Sequence, residues 1–411
     1  MSKKTILIVG AFDSKGEEYR FVRDLILERG HWVLAMNTGI LGSTELFPVD
    51  FEAEEVARAA GKNIRSLREK KDRGQAVPVM CTGARLLTKK LFEEKRIDGV
   101  FGMGGGGGTA MATAAMQELP IGFPKVCVST LATTDTSAWI GTRDITMMPA
   151  VVDVAGVNQI SRKIFTRAVG AICGMVETEE KIDAEDKAII AASMFGNTTQ
   201  SVDQCREILT EKGFEVLVFH ATGTGGKIME SLVDDGWVDA VLDITTTEWA
   251  DQICGGILNA GESRLDAPGK AGIPHLMVPG CLDMVNYSGR DTVPEKYNDR
   301  LFYEWNPSVT LMRTTVEENR KMGEIFAEKA NRAMGPVAFL IPLQGYSVVD
   351  SIDEKGQPGI FWDPDADHAF IEGLQSKLKP EIPIVELNHN INDLEFSRKA
   401  TTMLCDMLAK Q

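Results

Sequence analysis

The chain repeats itself at the scale of whole strand–helix units. An apolar run from Thr5 to Ala11 leads into Phe12-Asp-Ser-Lys, and another from Ala188 to Ser193 leads into Phe195-Gly-Asn-Thr-Thr. Arg29-Gly-His-Trp-Val-Leu is echoed by Lys212-Gly-Phe-Glu-Val-Leu, and both pairs stand 183 residues apart. Ile97-Asp-Gly-Val is echoed by Val238-Asp-Ala-Val at 141 residues, and Gly122-Phe-Pro-Lys by Gly272-Ile-Pro-His at 150. The shortening from 183 to 141 places roughly 42 extra residues in the first half, between Ile40 and Gly83. Such a repeat constrains the fold to two similar domains.

Within each half, short apolar runs alternate with helical stretches. Thr5–Ala11, Val33–Met36, Val77–Cys81 and Lys125–Ser129 read as strands, with helices after the first and from Ala84 to Lys95. Alternation of this kind means parallel sheets with helices on both faces. The fold class is α/β: two Rossmann-like, doubly wound parallel-sheet domains arising from an internal repeat. Glu177 to Lys187 is charged and lacks apolar rhythm. The boundary is placed there, giving residues 1–180 as an N-terminal nucleotide- or anion-binding domain. Residues 186–411 form a C-terminal domain facing it across a cleft.

A chain of 411 residues suits two or three domains. Its formal charge of −15 and pI near 5.0 argue against nucleic acid or an anionic membrane as partner. The seven cysteines are scattered without a C-x-x-C pair, so neither a metal site nor a disulfide framework is indicated. The N-terminus enters a strand at once, and no apolar run reaches membrane-spanning length. A cytoplasmic protein is expected.

In parallel sheets, ligands gather at the carboxyl ends of strands. Five consecutive glycines, Gly104, Gly105, Gly106, Gly107 and Gly108, followed by Thr109, lie between an apolar run and an alanine-rich helix. Bare backbone lets N–H groups approach an anion closely, and a helix start adds donors and partial positive charge. Phosphate is expected on this turn. The turn carrying Asp13, Ser14 and Lys15, and the one opening with Ser129 and Thr130, should line the same crevice. Lys15 would supply a point charge, and Asp13 would be available to magnesium or a ribose. A nicotinamide reading is weak, because the strand Lys125–Ser129 ends without the ribose-binding acid.

The second half differs where chemistry would sit. Asp243-Ile-Thr-Thr-Thr-Glu248 stands where the first half has its glycines. His220, Glu248, Cys281 and Asp283 all fall at strand ends. A histidine near carboxylates and a thiol is raw material for acid–base or nucleophilic catalysis.

With these residues in view, the chain resembles the ATP-binding family of the tomato mosaic virus resistance protein and its bacterial and fungal relatives. The resemblance runs the whole length. It is carried by Asp13-Ser-Lys-Gly-Glu-Glu18, Gly102-Met-Gly-Gly-Gly-Gly-Gly-Thr109, Met194-Phe-Gly-Asn-Thr-Thr199, Val218-Phe-His-Ala-Thr-Gly-Thr-Gly-Gly226, Leu242-Asp-Ile-Thr-Thr-Thr-Glu248 and Thr310-Leu-Met-Arg-Thr-Thr315. It implies two Rossmann-like subdomains, ATP (with or without magnesium) on the N-terminal one, and a homodimer. A nucleotide-binding protein is the first expectation. The alternative is a catabolic hydrolase or lyase of a small anionic metabolite, a keto acid or phosphorylated compound. There His220, Glu248 or Cys281, beside Asp283, would do the chemistry.

Overall fold

The computed structural model describes residues 2–70, 73–179, 187–352 and 355–410. It divides into two compact units, Met1–Ile182 and Asp183–Gln411. Much of the charged stretch expected to hold the boundary, residues 180–186, lies outside the described residues.

The first unit runs β1 (Thr5–Gly10), α1 (Phe12–Glu28), β2 (Trp32–Asn37), α2 (Ala53–Ala59), α3 (Ile64–Lys70), α4 (Arg73–Glu93), β3 (Gly99–Gly104), α5 (Gly106–Gln117), β4 (Lys125–Ser129), α6 (Ser137–Ile140), β5 (Thr146–Pro149) and α7 (Gln159–Glu177). Its sheet is parallel in the order β2-β1-β3-β4-β5. The strand β1 is apolar throughout because both its faces are covered. Ile6 and Ile8 pack with Tyr19, Val22 and Ile26 of α1 and Phe165 of α7. Leu7 and Val9 pack on the other side with Val56, Met80 and Ala112 from α2, α4 and α5.

One expected strand is a helix. Val77–Cys81 lies inside α4, although Pro78 removes an N–H there. Ala76, Met80 and Ala84 are buried at steps of four, which is a helical period. Close packing supports it: a Cβ at Gly83 would fall 1.9 Å from the Val56 carbonyl oxygen of α2. The insertion inferred from the repeat spacing is therefore helical, in α2, α3 and the start of α4.

The second unit runs β6 (Ile189–Met194), α8 (Thr199–Glu211), β7 (Glu215–His220), α9 (Thr224–Asp234), β8 (Ala240–Thr245), α10 (Glu248–Cys254), α11 (Ala267–Ala271), β9 (His275–Gly280), β10 (Met284–Tyr287), β11 (Phe302–Asn306), β12 (Val309–Arg313), α12 (Val316–Asn331), β13 (Val337–Pro342), α13 (Pro364–Lys377), β14 (Ile384–Leu387) and α14 (Leu394–Leu408). Its main sheet is parallel, ordered β14-β13-β9-β8-β6-β7. Counting each unit's main-sheet strands from its own start, both sheets are ordered 2-1-3-4-5, and the second adds a sixth strand. The repeat thus extends to topology. An antiparallel trio, β10-β12-β11, is additional in the second unit. No helix among the described residues is long and apolar enough to cross a membrane.

Candidate functional site

In the order 2-1-3-4-5 the direction in which successive strands are added reverses between the first and third strands, and ligand crevices open at that switch point. In the first unit it lies between β1 and β3. One side chain spans it: the Tyr19 hydroxyl donates to the Val9 carbonyl at 2.6 Å and accepts from the Met103 amide at 2.8 Å.

The five glycines are divided among three jobs. Gly104 ends β3, Gly105 is the N-cap of α5, and Gly106, Gly107 and Gly108 form the first helical turn. No side chain caps this helix. By helix geometry the first amides have no intrahelical acceptor. Packing explains only part of the run. A Cβ at Gly104 would fall 2.8 Å from the Gly108 Cα, and one at Gly108 would fall 3.1 Å from the Met103 carbonyl oxygen. At Gly106 nothing lies within 4 Å of that position, and at Gly107 only Val77 Cγ2, at 3.8 Å, does. Both are exposed.

Thr109 and Ser129 are fully buried and hydrogen-bond each other at 2.6 Å. Ser129 Oγ also accepts from the Leu131 amide. These hydroxyls pin α5 to β4, and the Thr109 hydroxyl is turned inward, away from any crevice. Ser129 and Thr130 together border a hollow of about 370 Å³, with Thr133, Val151 and Asp153, and the Thr130 hydroxyl would stand 3.7 Å from a Gly105 Cβ. Val151 has φ of 63°, and the Val152 amide donates to the Ala150 carbonyl at 2.7 Å. This is a positive-φ γ-turn, a strained conformation for a β-branched residue.

Asp13, Ser14 and Lys15 sit within the start of α1, which is non-helical at Lys15. The Asp13 carboxylate accepts from the Leu41 amide at 2.8 Å. Ser14 is exposed, and Lys15 lines a second hollow, of about 600 Å³, with Thr44 and the carboxylates of Glu17 and Glu45. Lys15 and Thr130 therefore line different hollows, at the ends of β1 and β4, with β3 between them.

In the second unit the four expected catalytic residues occupy three places. His220 ends the edge strand β7 and is exposed. Glu248 is sealed inside, where one carboxylate oxygen accepts from the Gly223 and Gly226 amides at the start of α9, at 2.8 and 3.2 Å. Its other oxygen takes Arg264 Nε at 2.6 Å. Burial raises the Glu248 carboxyl above its ordinary range, while Arg264 draws it back. Cys281 and Asp283 are buried together beyond β9, beside Asp350. Burial pushes the Cys281 thiol far above its usual value, so no nucleophilic thiolate is available there.

Residues 4–181 match the N-terminal domain, and residues 187–408 the C-terminal domain, of the family described as uncharacterised protein family UPF0261. The chain belongs to the UPF0261 family. It is 44% identical over 411 residues to a UPF0261 protein of Clostridium tetani, covering 100% of both chains. It is 40% identical over 406 residues to one of Mesorhizobium japonicum, covering 98% of each. It is also 39% identical over 332 residues to the ToMV resistance protein Tm-1 of Solanum lycopersicum, which takes in 79% of this chain and 43% of that protein. Among solved structures, the glycosyltransferase SnogD of Streptomyces nogalater matches at 12% identity and a TM-score of 0.24, covering 99% of this chain and 100% of that one. A UDP-N-acetylglucosamine 2-epimerase of Rickettsia bellii matches at 10% and 0.23, covering 100% and 97%. Likenesses this loose carry no argument.

Two arginines of this UPF0261 chain were not singled out from the sequence. Arg264 is buried among Asp243, Glu248 and Glu230, and His275 reaches Asp243 at 3.1 Å. Burial opposes ionisation of Asp243, but Arg264 and His275 overcome it and hold that carboxyl well below its ordinary range. Arg313 is buried beside Asp367 and Asp350. Arg264 carries no sequence signal beyond a basic residue in a chain rich in acids, while Arg313 lies in the Thr310–Thr315 motif, which does not name its partners.

Proposed function

We propose that the N-terminal unit of this UPF0261 protein binds a nucleotide through its phosphates at the start of α5, with ATP as the nucleotide its family resemblance implies. The observation that carries this reading is Gly106. It is exposed and has open space where a Cβ would stand, so no internal contact requires it to be bare. A main chain stripped of side chains beyond what packing demands suits contact with something outside the chain. Its free amides and the helix dipole favour an anion. The position at the switch point of the sheet agrees. Thr130 stands beside it as a hydroxyl donor.

Calorimetry with ATP and magnesium on the full chain tests this. Binding is expected in the micromolar-to-millimolar range and should weaken at least tenfold in Gly106→Val, whose fold should be intact. No heat at millimolar ATP, or the same heat in the variant, refutes the reading.

A further inference from the structure

Two buried groups in the second unit contain the same charges, three carboxyls and one guanidinium. Around Arg264 every carboxylate oxygen has a hydrogen-bond donor. The guanidinium serves Asp243, Glu248 and Glu230. The Gly223, Gly226, Leu265 and Ala267 amides, the Ser193 hydroxyl and the His275 ring complete the set.

Around Arg313 two carboxylate oxygens have none. Nε donates to the Phe361 carbonyl and Nη1 to the Thr314 hydroxyl, while Nη2 is divided between the Asp363 carbonyl and Asp367 Oδ1. Asp350 Oδ1 is 3.7 Å from Nη2, and no protein hydrogen-bond donor serves it or Asp283 Oδ1. Both residues are 0% exposed. Three ionised carboxylates here would leave two negative charges unmatched in the interior, each at a penalty of several kcal/mol. Protonation removes that penalty. Asp350 and Asp367 also lie within hydrogen-bonding reach of each other, a contact that needs a proton between them. The described residues offer no metal-holding group of acids, histidines or cysteines that would serve instead.

We propose that Asp283, Asp350 and Asp367 form a proton-held latch, which keeps loop 343–350 closed on Arg313 while two of the carboxyls are protonated and loosens it as they ionise. The loop is tied through these groups. Ser347 Oγ donates to Asp283 at 2.8 Å, the Tyr346 amide donates to Asp350 at 3.0 Å, and the Tyr346 carbonyl accepts from the Cys281 amide. The titratable or charged groups facing the cluster are Cys281 from the turn after β9, Arg313 from β12, Tyr346 from the loop itself, and Asp363 at the start of α13. Burial pushes Asp283 up to about 7 and Asp350 further, with Arg313 pulling both back. The closed state therefore binds more protons than the open one between about pH 4 and about pH 7. Closure weakens as pH rises through that window, and above it the Asp283 contribution is already lost.

Amide exchange at Tyr346, Val349 and Asp350 in the full chain, corrected for intrinsic rates, reads the latch. Opening should rise at least tenfold per pH unit from about pH 5 to about pH 7. Asp283→Asn should remove one proton, tenfold per unit, from that slope, while the half-exposed control Asp203→Asn, far from the loop along the chain, should leave it unchanged. The infrared stretch of protonated carboxylic acid should be present in the wild-type protein near pH 6 and fade as pH rises. The wild-type measurement stands even where a variant fails to fold. A pH-independent opening, an unchanged slope in Asp283→Asn, or no protonated-acid band near pH 6 overturns the proposal.

Discussion

The two units share a strand order but finish their switch points in opposite ways. In the first, β3 runs out into exposed glycines, and the leading amides of α5 are left without a side-chain cap. In the second, the same place is filled from within. Thr198 and Thr245 share a hydrogen bond of 2.6 Å, and Ser193 links Asp243 to the Thr245 amide. The Asn197 amide lies against Met284 Sδ at 3.7 Å, and Asn286 donates to Thr247. The second unit's own glycine-rich helix start, at α9, already holds an anion: the carboxylate of Glu248. The donors at the start of α5 are left without a side-chain partner, whereas in the second unit the donors at the start of α9, which follows a different strand of the repeat, are taken up by an interior carboxylate. A glycine-rich turn before a helix therefore indicates only that an anion can be held there, and the neighbouring residues decide whose anion it is.

The largest effect should come from removing the cation that closes the second switch point. Arg264→Met leaves three carboxylates buried without it and should lose about 3–5 kcal/mol of stability in denaturant unfolding. A loss below about 1 kcal/mol would mean the closure is not held by charge. Next, Glu248→Ala should cost about 1–3 kcal/mol by stranding the α9 amides, and formate or phosphate should restore part of it. Rescue would show that the second helix start is still an anion cradle once emptied; equal midpoints with and without the salts would break the analogy.

In the first unit, Gly104→Ala forces a Cβ into Gly108 and should cost about 1–3 kcal/mol, whereas Gly106→Ala should stay within about 0.5 kcal/mol of wild type. If both cost the same, the division between packing glycines and outward-facing glycines fails. The smallest change is expected from Val151→Gly, which relieves a positive φ and should raise the unfolding midpoint slightly, by about 0.5 kcal/mol equivalent.

The alternation of strands and helices was legible because parallel strands buried on both faces must be apolar throughout, as in β1. The repeat was legible because turns such as Arg29-Gly30 and Lys212-Gly213 end helices in both halves; both glycines adopt positive φ. Val77–Cys81 was misread because β-branched residues around a proline mimic an edge strand, and the burial at Ala76, Met80 and Ala84 shows its period only when the flanking residues are included. The open helix start at Gly106 was legible from the glycine run, but the inward turn of the Thr109 hydroxyl was not, since a hydroxyl near a strand end serves packing or ligand equally well until its partner is known. The roles of Arg264 and Arg313 were not legible for a different reason: the acids that hold them are 16 to 54 residues away along the chain.

Tyr19 has a consequence for how the first unit could respond to an occupant. Its phenol staples the last turns of β1 and β3 together, and Gly10 must lack a side chain to admit the ring, since a Cβ there would fall 2.1 Å from it. The two strands flanking the mouth thus cannot spread apart without breaking that clasp. The spacing of these two strand ends is therefore fixed within the fold, and any change of shape at the crevice falls to the segments beyond them.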